Sequence, residues 1–406
     1  MIRMAAGMLP HGNGSGRSDW LTRNRSREAS QPRLVAAALG IASAGFVDLA
    51  YTQTIGLFAP GIAIVALLVI GNRVFRGLSI DWLVLTGLLI FWLILAACFG
   101  VYGGMRSLGF AVYMGLPLLG LAMLPGAAIV PFTISYAGVA TVSMVLWMTV
   151  LLVGGYGELK PWGLWSPSAS INTYGVLLNM LWPLLLMRGL HNPSGSMRWS
   201  LLWLALSGIL AAMATFSRLA IVTAILLGSI ILIRRWPLYG GLGLFGVAGL
   251  AWAFGDELHT LLVNFRLVGW TPQFSRPAIW GLALDVSEGH YWFGQAPGGA
   301  KYVLAPLNMY TAHNDVVNLL LEAGAVAAVL GFTLLFCLLC IAFRAVLRGG
   351  PGLFAGCSIL AYVLSTLVSA SMTRPELTLA LALGLGVCRW QRPLDNRSRS
   401  GQEQPC

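Results

Sequence analysis

Long apolar segments bounded by arginines recur along the whole chain, and they constrain the fold more than any other feature. Segments of this length and composition are typical of helices that cross a bilayer. Only 10% of the 406 residues are charged, whereas a soluble domain contains about a quarter. The segments also lack the alternation of apolar and polar residues that membrane β-strands require. The sequence therefore predicts an all-α, polytopic membrane protein.

The apolar segments predict about twelve transmembrane helices. They cover residues 33–51, 54–71, 81–102, 108–124, 130–153, 172–188, 199–217, 218–233, 237–255, 315–343, 352–371 and 376–390. Residues 1–32 and 391–406 are then tails, residues 33–255 hold nine spans, residues 256–314 form a long loop, and residues 315–390 hold the last three spans. The basic N-terminal segment shows no cleavage pattern, so we expect a retained tail and not a signal peptide.

The basic residues fix the predicted orientation. The net charge of +11 arises from short clusters between apolar segments, which is the pattern of orientation signals and not of a nucleic-acid surface. With the N-terminus inside, all but seven of the 25 lysine and arginine residues are cytoplasmic. The seven outer ones are Arg106, Lys160, Arg218, Arg266, Arg276, Lys301 and Arg374. Both termini are therefore predicted in the cytoplasm, with loop 256–314 on the periplasmic side.

Arg218 is the most informative single residue. Only residues 219–233 separate it from Arg234, and a helix of that length covers about 22 Å of a bilayer core about 30 Å thick. We expect Arg218 to be drawn below the outer surface, where a cation is costly unless an anion or polar cavity meets it. We interpret Arg218 as an anion ligand in an outward-facing cavity; an arginine that only reaches for the interface is the alternative.

Loop 256–314 has about 59 residues, far more than an ordinary connection, which indicates a functional segment. Within it, Ser275-Arg276-Pro277 predicts the start of a helix. The glycines and proline of residues 294–299 predict a segment rich in turns. We expect the chain then to re-enter the membrane at residues 313–315.

Asp315, Asn318 and Glu322 are spaced to line one stripe of the helix after this loop. A carboxylate as deep as Glu322 should face protein or water, and its natural partner is an arginine such as Arg218. We interpret the three residues as lining a cavity. For Glu322, a structural ion pair between helices is an equally good interpretation.

His313 lies directly above this stripe, at the mouth of the predicted cavity. It is a candidate general base. The alternative is a polar residue near a helix start, with Asn314 or Asp315 as the cap. Asn172 and Asn179, on another span, are candidates for lining the same cavity.

The sequence predicts no metal site, because the acidic pairs of the loop join no histidine at ligand spacing. Cys337 and Cys340 form a C-x-x-C pattern inside an apolar span, where inert thiols are the usual case. We therefore expect no cofactor.

Three motifs, taken in order, resemble those of one family. FSRLA at residues 216–220 resembles a Ser-Arg-small motif at the start of a span. RPAIW at residues 276–280 resembles an Arg-x-x-x-Trp loop helix that precedes a glycine-rich turn. HN at residues 313–314, followed by NLLLEAG at residues 318–324, resembles a re-entry segment. Their order, spacing and topology are similar to those of the O-antigen ligase superfamily, which includes ligases, O-antigen polymerases and some protein-glycosylating transferases.

The resemblance implies a GT-C-like glycosyltransferase with its active site on the periplasmic side of the bacterial inner membrane. It would transfer polysaccharide from undecaprenyl diphosphate to a sugar hydroxyl of lipid A–core, without metal or nucleotide. It implies Arg218 and Arg276 as diphosphate ligands, which guanidinium forks suit, and His313 as the base. Partners would be the lipid-linked donor, lipid A–core and membrane lipids, and not nucleic acid.

Two alternatives to a ligase remain. An O-antigen or exopolysaccharide polymerase would use the same donor, but the polymerase pattern of Arg, fifteen residues, then Gly is absent from Arg218, Arg266 and Arg276. A twelve-span transporter is the alternative of another class. The two halves of the chain do not resemble each other, and one long outer loop with histidine and arginines fits a transporter poorly.

Overall fold

The computed structural model describes residues 80–109, 111, 129–154, 171–191, 195–215, 217–243, 249, 276–307, 311–368, 377, 380–381 and 383–388. Over these residues the chain is 87% helical and contains no strand. The all-α class predicted from the sequence is thus confirmed for the part of the chain that is described.

The helices that build the core and the candidate site are, in chain order, α1 (Ile80–Phe99), α2 (Ile129–Gly154), α3 (Ile171–His191), α4 (Gly195–Ala214), α5 (Arg218–Arg235), α6 (Arg276–Glu288), α7 (Ala300–Val303), α8 (Asp315–Arg348) and α9 (Gly350–Thr366). Seven of the predicted spans correspond to α1 to α5, α8 and α9. The spans predicted at 33–51 and 54–71 lie outside the described residues, as do most of those at 108–124 and 237–255 and part of that at 376–390.

Two described helices, α4 and α8, are long and apolar enough to cross a membrane. On α8, Val329, Phe332, Phe336 and Phe343 recur at helical spacing, and each is more than half exposed. A continuous exposed stripe of large apolar side chains fits lipid better than water. The count of twelve spans stays a prediction.

Helix α3 lies at the centre of the main core, where it packs against α2, α4, α5 and α9. Its Trp182 is fully buried and donates a hydrogen bond to Oδ1 of Asn179. Nδ2 of Asn179 in turn donates to the carbonyl of Ala220, 2.7 Å away in the first turn of α5. Asn179, a candidate for lining a cavity, is therefore a buried tie between α3 and α5. The side chain of Asn172 lies outside the described part.

Basic residues gather where the C-terminal ends of α3, α5 and α8 lie near one another. His191 at the end of α3 meets the ring of Phe354 near the start of α9, with centroids 6.3 Å apart. Arg234 at the end of α5 donates a hydrogen bond to the carbonyl of Leu347 near the end of α8. The basic residues near these adjoining ends are Arg188, Arg234, Arg235, Arg344 and Arg348. At the opposite end, Nδ2 of Asn314 donates to the carbonyl of Leu367 just after α9, 3.1 Å away.

Helix α8 is not the single straight helix that the sequence predicts over 315–343. It is interrupted at Gly324, whose φ of 81° and ψ of −178° are not helical, and it continues to Arg348. The break lies two residues after Glu322. The first part, residues 315–323, therefore has its own direction and belongs to the candidate site.

Candidate functional site

The loop helix α6 begins at Arg276, as the Ser-Arg-Pro pattern predicts; Ser275 itself lies outside the described residues. Ile279 and Ala283, one turn apart, face inward and are fully buried. They form a second apolar cluster together with Ala300, Leu304, Ala312 and Leu321. This cluster holds α6 against α7, against Leu304 and Ala312, and against the first turns of α8.

Trp280 links this loop helix to the segment that contains His313. Its indole Nε1 donates a hydrogen bond to the carbonyl of Ala312, 2.8 Å away. On the other side, the backbone N–H of Ala312 donates to Oδ1 of Asn318, 3.2 Å away. Ala312 is fully buried, so both its backbone polar groups are satisfied within the protein.

His313 follows in a left-handed backbone conformation, with φ of 53°. A residue with a Cβ pays about 1–2 kcal/mol for this conformation, so its surroundings must hold it there. Asn314, the next residue, caps α8: its Oδ1 accepts from the N–H groups of Val316 at 2.9 Å and Val317 at 3.1 Å. Of the two predicted caps, Asn314 is therefore confirmed, and His313 stands directly before it.

Burial lowers the pKa of the half-buried His313 imidazole, and the nearby positive charge of Arg276 lowers that pKa further. Arg276 is exposed, one turn before Trp280 on α6. The imidazole is therefore neutral over a wider range of pH than an ordinary histidine. A neutral imidazole can accept a proton, which is what a general base needs.

The stripe of Asp315, Asn318 and Glu322 is buried within the protein, with exposed fractions of 1%, 2% and 4%. The carboxylate of Glu322 lies within hydrogen-bonding reach of the backbone N–H groups of Gly298 and Ala300 and of the side-chain amide of Asn318, with Lys301 as the nearby cation. An ion pair of Glu322 with Arg218 stays a prediction, because the side chain of Arg218 lies outside the described part.

The turn segment 291–295 docks on the break in α8 and satisfies the backbone groups that the break frees. The N–H of Gln295 donates to the carbonyl of Leu321 at 2.8 Å, and the N–H of Ala325 donates to the carbonyl of Tyr291 at 2.7 Å. Gly294, with φ of 60°, approaches so closely that a Cβ would lie 2.6 Å from the carbonyl oxygen of Leu321. The predicted glycine-rich turn is thus confirmed, and it is a backbone contact with α8.

The end of α1 also contacts this turn segment and the break in α8, a contact that the sequence does not predict. Phe293 packs between Trp92 and Phe99, with ring centroids 5.4 Å apart in both pairs. Nε1 of Trp92 donates to the carbonyl of Ala323, 3.0 Å away, immediately before the break in α8. No local pattern announces a contact between residues 231 positions apart.

Arg218 is the first residue of α5, and Ser217 is its N-cap, with Oγ accepting from the N–H of Ala220 at 3.4 Å. The Ser-Arg-small motif is thus a helix start, as predicted. The role of the Arg218 side chain as an anion ligand stays a prediction.

Among the described residues, no group of three or more histidine, cysteine or acidic side chains could hold a metal ion. Cys337 and Cys340 are free thiols on α8.

No protein-family model matches the chain, and a comparison with curated proteins finds no match either.

Proposed function

We propose that the chain is a membrane glycosyltransferase of the O-antigen ligase type. The observation that carries this proposal is the meeting of two motifs far apart in the loop. Trp280 of RPAIW bonds to the backbone beside His313, and Arg276 of the same motif lies close enough to lower the pKa of His313. A neutral base beside an exposed guanidinium suits a reaction that deprotonates a hydroxyl and stabilises a departing anion.

In the proposed reaction, the imidazole of His313 accepts the proton of a sugar hydroxyl on lipid A–core. The hydroxyl oxygen bonds to the anomeric carbon of the donor glycan, and the bond from that carbon to the diphosphate oxygen breaks. Undecaprenyl diphosphate leaves with the electron pair. Arg276, together with Arg218 as the resemblance implies, binds the phosphate oxygens through paired hydrogen bonds.

The basic residues lie at the helix ends opposite to His313, and this supports a periplasmic site. Arg234 and Arg348 lie near adjoining helix ends, whereas Asn314, next to His313, contacts Leu367 at the other end of the α8–α9 hairpin. Basic helix ends are cytoplasmic by the positive-inside rule. His313 and Arg276 would then face the periplasm, where lipid-linked glycan and lipid A–core meet.

The test is reconstitution of the purified full-length protein in lipid nanodiscs with undecaprenyl-diphosphate-linked glycan and lipid A–core. Lipid A–core that carries the glycan is the expected product. Elongated lipid-linked glycan without modified lipid A–core would identify a polymerase. An unconsumed donor would contradict both and favour the transporter alternative. His313→Ala should abolish product, and His290→Ala, at an exposed histidine of the same loop, is the matched control.

A further inference from the structure

We propose that Asn318 and Glu322 form a positioning device that acts on His313 through the backbone of Ala312. The expected effect on the rate of glycan transfer rests on the proposed function, whereas the expected effect on the titration of His313 does not. Neither side chain need touch substrate for this role, since both are almost fully buried.

The orientation of the Asn318 amide is dictated by its two neighbours. Its Oδ1 accepts from the N–H of Ala312 at 3.2 Å, so its NH2 group is left to face Glu322. An oxygen of the Glu322 carboxyl group accepts from the NH2 group of Asn318, whereas the amide itself has a donor side and an acceptor side. Glu322 therefore fixes which end of the amide points at Ala312.

Glu322 is held from the loop side by the N–H groups of Gly298 and Ala300. These contacts hold the carboxyl group where it accepts from the NH2 group of Asn318. An apolar residue at position 322 would leave that NH2 group without an acceptor and the amide free to turn.

The backbone of Ala312 is pinned in two successive peptide planes. Asn318 holds the plane that contains the N–H of Ala312, and Trp280 holds the next plane through the carbonyl of Ala312. The second plane also contains the backbone nitrogen of His313. Asn314 is fixed on the far side as the cap of α8. The residues on both sides of His313 are therefore held in place, and its left-handed conformation is maintained next to Arg276.

The experiment follows His313 directly in the full-length protein in detergent. The rate of modification by diethyl pyrocarbonate is measured against pH, and mass spectrometry of the His313 peptide separates it from the other four histidines. The exposed His290 is the internal reference. For the wild type, we expect a titration midpoint below that of an ordinary imidazole, about 6.5. In Asn318→Leu and in the smaller, polar Asn318→Ser, the midpoint should rise towards that value as His313 leaves its buried position beside Arg276.

Two comparisons separate positioning from general loss of stability. Asn179→Leu removes an equally buried amide that bonds to a backbone carbonyl between α3 and α5, and it should leave the His313 midpoint unchanged. Glu322→Gln keeps an oxygen that accepts from Asn318, so it should preserve the wild-type midpoint, whereas Glu322→Leu should behave like Asn318→Leu. The proposal is overturned if neither Asn318 variant moves the midpoint, or if Asn179→Leu moves it equally.

The kinetic arm distinguishes this inference from the proposed function. In glycan transfer, Asn318→Leu should lower kcat by on the order of 10²-fold, as expected for a misplaced catalytic group. KM for the lipid-diphosphate donor should stay within about two-fold of wild type, because the arginines still hold the diphosphate. A shifted His313 midpoint in a protein whose wild type transfers no glycan would sustain the positioning and reject the function. If the wild type transfers glycan and the Asn318 variants do not shift the His313 midpoint, the proposed function stands and the positioning role is rejected.

Discussion

Nε1 of Trp280 lies 2.8 Å from the carbonyl oxygen of Ala312, and this hydrogen bond ties the loop helix α6 to the residue before His313. Arg276 lies one turn earlier on the same helix, so the bond also sets where its charge stands relative to the imidazole. One rigid helix therefore carries both the cation and the anchor. Such an arrangement keeps two groups in register more reliably than two separate loops would.

Trp280→Phe should test this anchor, because phenylalanine keeps the apolar ring and removes the N–H. A buried carbonyl left without its partner costs about 1–3 kcal/mol, so the melting temperature in detergent should fall. Glycan transfer should fall more steeply than this loss of stability accounts for, because the hydrogen bond that links the helix of Arg276 to the backbone beside His313 is lost. Trp203→Phe, at a tryptophan 64% exposed on α4, is the control. An unchanged transfer rate in Trp280→Phe would show that the bond serves stability alone.

Arg276→Gln should raise the pKa of His313, because it removes a positive charge that disfavours the protonated imidazole. Burial is the larger cause of the lowered pKa, so the variant should recover less than half of the displacement. High salt should act on the wild type in the same direction, since salt screens the charge of exposed Arg276 but not the effect of burial. The measurement is the pH dependence of His313 modification. A full return to the ordinary value would mean that the charge dominates.

The part of the site near His313 could be predicted from local sequence. The helix start at Arg276, the cap at Asn314 and the stripe of Asp315, Asn318 and Glu322 all follow from spacing within a few turns. Each depends on neighbours in the chain, and local rules describe such contacts well.

The break at Gly324 and the docking of α1 could not be predicted in this way. The sequence around Gly324 is compatible with a continuous helix, and only the approach of the segment 291–295 gives its backbone groups other partners. The bond from Trp92 to Ala323 likewise joins distant parts of the chain. Tertiary contact overrides local preference at both points.

His313→Ala should lower the transfer rate by about 10²- to 10⁴-fold, the usual contribution of a general base. Wild-type activity should fall as pH decreases, because only the neutral imidazole accepts a proton. Since burial and Arg276 lower the pKa of His313, the fall should have its midpoint below the ordinary value of about 6.5. Initial rates across pH check both points. An active His313→Asn enzyme with an unaltered pH profile would remove His313 from the mechanism.

Gly324→Ala should destabilise the protein. Its φ of 81° and ψ of −178° lie in a region adopted almost only by glycine, where a residue with a Cβ pays about 1–3 kcal/mol, and the added Cβ would collide with the backbone carbonyl of Trp292. The melting temperature in detergent should therefore fall, with loss of transfer as the segment 291–295 separates from α8. Gly228→Ala is the matched control, because Gly228 lies within α5 with open space around its Cβ position. Alanine is favoured over glycine inside a helix, so this control should be as stable as wild type or more so. Equal melting temperatures for Gly324→Ala and wild type would contradict the break as described.

The sidedness of the site is tested by single cysteines in a background in which all six native cysteines are replaced. Glu288→Cys places a thiol at the exposed end of α6, near the segment that docks on α8, and Arg348→Cys places one at the exposed basic end of α8. A membrane-impermeant maleimide added to intact spheroplasts should label residue 288 at once. Residue 348 should react only after lysis, because the positive-inside rule assigns the basic end to the cytoplasm. The cysteine-free protein must first transfer glycan as the wild type does, so that the labelled molecules are native. Labelling of residue 348 in intact spheroplasts, with residue 288 protected, would put His313 and Arg276 on the cytoplasmic side. They could then not reach a periplasmic acceptor, and the proposed reaction would have to be abandoned.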